Sequence, residues 1–130
     1  MKKYHVAIAF LAITLASCGG GAENKDAKAT APAASGAALS ENPDYKKGLE
    51  LIAGSDCLTC HKVSEKLTGP AYKDVAQKYE SNDENISMLA AKIIKGGQGN
   101  WGPIPMTPHP ALSEDDAKQM VKYILLLRNK

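Results

Sequence analysis

Five consecutive residues, Cys57-Leu58-Thr59-Cys60-His61, limit what this chain can become more than anything else in it. Two thiols with two residues between them can close a disulfide, supply half of a zinc site, work as a redox dithiol, or add to the two vinyl groups of one haem. A structural zinc takes four ligands. Past Cys18, however, the chain holds only His109 as a His or Cys outside this run. A thioredoxin-like dithiol belongs in a βαβ setting, and no such alternation is present. A histidine placed directly after the second thiol points to covalent haem attachment. In that reading Cys57 and Cys60 form the thioethers and His61 is an axial iron ligand.

The size of the chain agrees with a need for such a group. Of 130 residues, only about 42–130 can build a core. A domain this small buries a modest fraction of its surface and often depends on a cofactor, metal or disulfide. Aromatic filler is scarce, with one Trp and one Phe, and Phe10 lies in the leading segment.

That leading segment reads as an address. Lys2 and Lys3 precede an apolar run from Val6 to Ala16, too short to span a bilayer and shaped like an export signal. Leu15-Ala16-Ser17-Cys18 resembles the bacterial lipobox. The resemblance implies cleavage after residue 17 and lipidation of Cys18, a stable anchor when two or more chains are attached. Gly19 stands where Asp would resemble an inner-membrane retention signal, which favours the outer membrane in a Gram-negative cell. Residues 18–41, rich in Ala and Gly and without apolar periodicity, are expected to be a flexible tether between the signal (1–17) and the domain (42–130). With Lys2 and Lys3 removed, the formal charge of +2 disappears, so nothing argues for a nucleic-acid partner.

Four helical stretches are expected in the domain and no strand, an all-α class. Asn42 and Pro43 suit an N-cap and first position of a helix ending before Gly54. A short helix after Pro70 would place Tyr72, Val75, Ala76 and Tyr79 on one face. A third starts at Ser81 or Asn82, carries the stripe Ile86, Leu89, Ala90, Ile93 and Ile94, and stops at Gly96-Gly97. A fourth opens with a capping box from Ser113 to Asp116 and buries Ala117, Met120, Val121, Ile124 and Leu125. Residues 96–110, dense in Gly and Pro, are read as a long stiff loop.

The second axial ligand must come from Met88, Met106, Met120 or His109. Met120 lies in an apolar stripe, and Met88 lies off the apolar face of its helix. Met106 ends Gly102-Pro103-Ile104-Pro105-Met106, where two prolines restrict φ and stiffen the approach, and it is the preferred ligand. His109 would give a bis-His site of lower potential.

The runs Thr68-Gly69-Pro70-Ala71-Tyr72-Lys73-Asp74-Val75-Ala76 and Gly97 to Met106, with the Cys57–His61 motif, resemble short-chain class I bacterial cytochromes c over residues 42–130. The resemblance implies a monomeric domain of about four short helices wrapped around one haem c with His61 and Met106 on the iron. It further implies that Pro70 accepts a hydrogen bond from His61, that Trp101 lies near a haem propionate, and that Gly48 packs against Tyr123. It implies a single-electron carrier rather than an enzyme, exchanging electrons with a respiratory complex, terminal oxidase or reductase on the periplasmic side. Apolar walls from Ile86, Leu89, Ile93, Ile104, Ile124 and Leu125 are expected around the haem.

Overall fold

The computed structural model describes residues 36–129; the signal segment, Cys18 and most of the tether lie outside the described residues. The described chain is mainly helical: α1 (Gly36–Ser40), α2 (Pro43–Ala53), α3 (Tyr72–Lys78), α4 (Asp83–Lys95) and α5 (Glu114–Leu126). A 3-10 turn, Asp56–Thr59, follows α2, and another, Leu127–Asn129, follows α5.

The helix starts are chemically explicit. Asn42 Oδ1 accepts from the backbone N–H of Asp44 at 2.8 Å and of Tyr45 at 3.3 Å, satisfying donors that have no partner within the helix. Asn82 does the same for Asn85 at 2.9 Å. Ser113 Oγ accepts from Asp116 N–H at 3.1 Å and donates to the Asp116 carboxylate at 2.8 Å. That is half of a capping box, because the carboxylate takes the hydroxyl proton rather than reaching the Ser113 backbone.

Two departures from the sequence expectation matter. The last residues of the expected tether are helical in α1, with Leu39 buried at 4% exposure, so the folded part begins before residue 42. The expected loop contains a hairpin: β1 (Gly97–Gly99) pairs antiparallel with β2 (Gly102–Met106), Gly97 opposite Met106 and Gly99 opposite Gly102. Gly and Pro conceal strands, since both are depleted from sheet interiors. A two-stranded ribbon has only edges, where prolines need not donate. Gly96 ends α4 at φ 68°, ψ −154°, a region open essentially to glycine alone, and so turns the chain into the ribbon.

α5 packs against α2, α3 and α4 and buries two faces. One joins Met120, Tyr123 and Ile124 to Ile52, Tyr72, Val75 and Ala76; the other joins Ala117, Val121 and Leu125 to Ile86 and Ala90. The α2–α5 crossing is close. Gly48 is buried, and a Cβ there would fall on Tyr123 Cβ and the Gln119 carbonyl, while Tyr45 and Tyr123 rings meet at 5.0 Å. Gln119 Nε2 also donates to Asp44 Oδ1 at 2.9 Å. Alanine is favoured over glycine in a helix interior. Even so, Gly48→Ala is expected to destabilise the haem-loaded protein by about 1–3 kcal/mol through overpacking, read as a lower urea midpoint. Gly54→Ala, whose added carbon meets Glu50 O at an ordinary 3.4 Å, should leave the midpoint unchanged or raised.

Candidate functional site

The 3-10 turn after α2 brings the two thiols and the histidine to one side. Backbone N–H groups of both Cys60 and His61 donate to Cys57 O, at 3.3 and 3.0 Å, and Thr59 Oγ1 donates to Asp56 O at 2.7 Å. Cys57 is half-buried and Cys60 is exposed. Burial first, then the neighbouring Asp56 carboxylate, pushes the Cys57 thiol up. The 3-10 turn carries no periodic signal of its own, and it went unread in the sequence.

His61 is held on three sides. Its Nδ1 lies 2.8 Å from the Pro70 carbonyl; a carbonyl only accepts, so Nδ1–H donates and Nε2 keeps its lone pair for a metal. The Tyr72 ring stacks on the imidazole at 5.4 Å and 19°. Burial, then Cys57 and Tyr123, holds the Tyr72 phenol far above its usual range, so it stays neutral. On the third side is Gly69, where a Cβ would collide with Cε1, Nδ1 and Nε2 of the imidazole. Sequence reading took Gly69-Pro70 as part of a motif and missed this role. A Gly-Pro pair reads as a turn, and the need for space appears only once His61 is brought beside it by the Gly69 N–H bond to Cys60 O at 2.8 Å.

These residues open onto a cavity of about 370 Å³ lined also by Met88, Leu89, Ile93, Trp101, Ile104, Met106, His109, Met120 and Ile124. Its volume suits a cofactor-sized group. Thus Cys57, Cys60, His61, Pro70, Trp101 and Met106 share one cavity. Of the expected walls, Leu89, Ile93, Ile104 and Ile124 line it. Ile86 and Leu125 do not; they pack in the second core cluster on the other face of α4 and α5. The stripe of α4 is wider than one contact surface, so it serves both core and cavity.

All four candidates for the second ligand line the cavity, and their settings separate them. Met120 is 1% exposed within the core. His109 Nε2 is engaged at 3.0 Å by Asp56 Oδ1. Met88 sits on α4, partly exposed. Met106 ends β2, paired with Gly97, and its carbonyl crowds Gly96. Trp101, at the hairpin turn, lies under Lys78 Nζ at 4.6 Å from its ring, while Lys78 also donates to Asn100 O at 3.3 Å. A thioether and an imidazole lining one cavity with paired thiols and apolar walls fit a covalently attached haem iron. Among the described residues no three His, Cys, Asp or Glu converge as another kind of metal site.

Residues 45–128 match the Cytochrome c family. The chain is 42% identical over 81 residues to cytochrome c-551 of Pseudomonas denitrificans, covering 62% of this chain and 98% of that protein. It is 41% identical over 88 residues to cytochrome c-551 of Allochromatium vinosum, covering 68% and 94%. The crystal structure of Nitrosomonas europaea cytochrome c552 superposes with a TM-score of 0.58 at 42% identity, over 62% of this chain and 99% of that one.

Gly69→Ala is expected to push the imidazole off the Pro70 carbonyl and to destabilise the haem-loaded protein by about 1–3 kcal/mol, read as a lower urea midpoint. An unchanged midpoint and an unchanged Soret spectrum would show that the ring is not confined there.

Proposed function

The chain belongs to the cytochrome c family, and we propose that it relays single electrons while tethered to a membrane by a lipid on Cys18. Electron carriage on one covalently bound haem c, without catalysis, comes with that membership. The haem supplies an iron that gains and loses one electron. The rest of the proposal concerns what this chain's own residues do around it.

In this reading Cys57 and Cys60 would hold the macrocycle, and His61 and Met106 would be the two protein ligands of its iron. The observation that carries it is the pairing of an oriented imidazole with a thioether on one cavity. His61 Nδ1 is occupied by Pro70 O at 2.8 Å, and Met106 ends a proline-stiffened strand lining the same space. The Pro70 bond fixes the tautomer and raises the basicity of the ligating nitrogen. A thioether ligand favours ferrous iron relative to a second imidazole. The walls of Leu89, Ile93, Ile104 and Ile124 act in the same direction, because an apolar surround disfavours the additional charge of the ferric state. Trp101 carries an indole N–H, a donor only, suited to a haem propionate. With His61 and Met106 both on the iron, the protein would leave it no open position for a substrate, and the haem would supply one-electron transfer alone.

The lipid anchor, supported by Leu15-Ala16-Ser17-Cys18 behind an export-like segment, would hold the monomeric domain on the periplasmic side. There its partners are a respiratory complex, a terminal oxidase or a reductase.

Two measurements test these assignments. Ferric wild-type protein should show the weak near-infrared band of sulfur-to-iron bonding. Met106→Ala should lose it and gain a carbon monoxide difference spectrum in the ferrous state, whereas Met88→Ala and His109→Ala keep the band. A Met106→Ala protein that retains it would place the sulfur elsewhere. For the anchor, labelled fatty acid should be incorporated into the wild-type chain and not into Cys18→Ser; equal labelling of both removes Cys18 as the attachment point.

A further inference from the structure

Asp56 and His109 lie 53 residues apart in the chain, yet their side chains meet at 3.0 Å between Asp56 Oδ1 and His109 Nε2. A carboxylate only accepts, so the ring nitrogen donates. The histidine stands on a fixed base: its backbone N–H is shared between Ile93 O at 3.2 Å and Ile94 O at 3.1 Å at the end of α4, and its carbonyl accepts from Leu112 N–H at 3.1 Å. Pro108 and Pro110 flank it and restrict φ on both sides. Its side chain is only 20% exposed, against 72% for Asp56, so the ring is the anchored partner and the carboxylate reaches to it. Asp56 is in turn the first residue of the turn that carries Cys57, and its carbonyl is capped by Thr59.

The bridge therefore joins the segment that holds the macrocycle through Cys57 to the strap that runs from Met106 into α5. Both residues line the cavity. Along that strap Met106 is paired to Gly97 and His109 is tied to α4, which secures it to the α4 side of the cavity. Asp56 is what reaches it from the Cys57 side.

We propose that the Asp56–His109 hydrogen bond is a latch on the Met106 strap, a positioning contact that sets how readily the thioether leaves the iron. It rests on the assignment of Met106 as the second ligand. With the latch closed, displacement of Met106 requires the strap to part from the Cys57 turn as well as the sulfur to leave. With it broken, the strap swings from its attachment to α4 and the iron becomes more accessible to an outside ligand.

Imidazole provides the test, because it binds ferric iron only where Met106 has left. In ferric haem-loaded protein, Asp56→Ala and His109→Phe should each raise imidazole affinity roughly threefold to fivefold, the scale of one net hydrogen bond. The double variant should rise no further than either single one, since both remove the same contact. His109→Gln, whose amide can still donate to Asp56, should stay at the wild-type value. A role confined to general stability predicts a lowered urea midpoint with unchanged imidazole affinity, and that result overturns the latch. So do additive effects in the double variant. Absence of the sulfur-to-iron band from the wild-type protein sinks the ligand assignment and the latch together, whereas the band present with unaltered imidazole affinity sinks the latch alone.

Discussion

The arrangement turns on one hydrogen bond, from His61 Nδ1 to the Pro70 carbonyl. A bond of this kind contributes only about 1 kcal/mol to stability, so its weight is geometric. It settles which ring nitrogen keeps a free lone pair, and the neighbouring residues leave room for it. Gly69 gives the ring room, and Tyr72 covers its face. Backbone bonds from Tyr72 N–H to Lys62 O and Lys73 N–H to Val63 O, both 3.0 Å, lock the start of α3 to the loop behind the histidine. Replace Gly69 and the same loop would hold the imidazole away from its acceptor.

A second constraint is that α5 has to be a wall on two sides. Its inner residues Met120 and Ile124 reach the cavity as well as the core around Ile52, while Ala117 and Leu125 close against α4. Alanines at 76, 90 and 117, each 0% exposed, let the helices approach closely enough to leave space on one side only. A domain with so little apolar bulk cannot close that space by collapsing, because short helices joined to a stiff hairpin have nowhere to move. Binding a large apolar group there stabilises the folded state by mass action and by buried area.

Helices α2, α4 and α5 were legible because each opens on a side-chain cap, and α4 and α5 carry an apolar stripe as well. Asn42, Asn82 and Ser113 sit at the observed starts, and Ile86, Ala90, Met120 and Val121 recur at helical spacing and are buried as that spacing requires. The attachment motif was legible because five contiguous residues carry it. The hairpin was hidden, since its strands are written in Gly and Pro, whose local preferences argue against strands. The 3-10 turn was hidden because it is too short to be periodic. The roles of Gly69 and of Asp56 were hidden for a different reason. Each depends on a residue brought close by the fold, and neither His61 over Gly69 nor His109 beside Asp56 leaves any trace in local pattern. Where the stripe of α4 was read as one surface, Ile86 was assigned to the cavity. A helix of this length has circumference enough for two interfaces, and Ile86 belongs to the other.

The same separation of faces puts a packed core behind the cavity walls. Of the side chains that touch the cavity, Leu89 and Ile93 pack on the cluster of Ile86, Ala90 and Val121, and Ile124 lies in the cluster around Ile52. Interiors packed at this density respond to a new charge by small shifts rather than by repacking. The hairpin and its strap are not backed in this way: Gly97, Gly99 and Gly102 adopt positive φ, and the neighbouring side chains are mostly exposed. Mobility there is limited by polar ties at the margins, Lys78 and Asn100 at the turn and Asp56 and His109 at the other end. Under the proposed ligation, rigidity of the pocket would come from the helices, and retention of the Met106 sulfur would depend on the tie between Asp56 and His109. A substitution in one should leave the other largely intact.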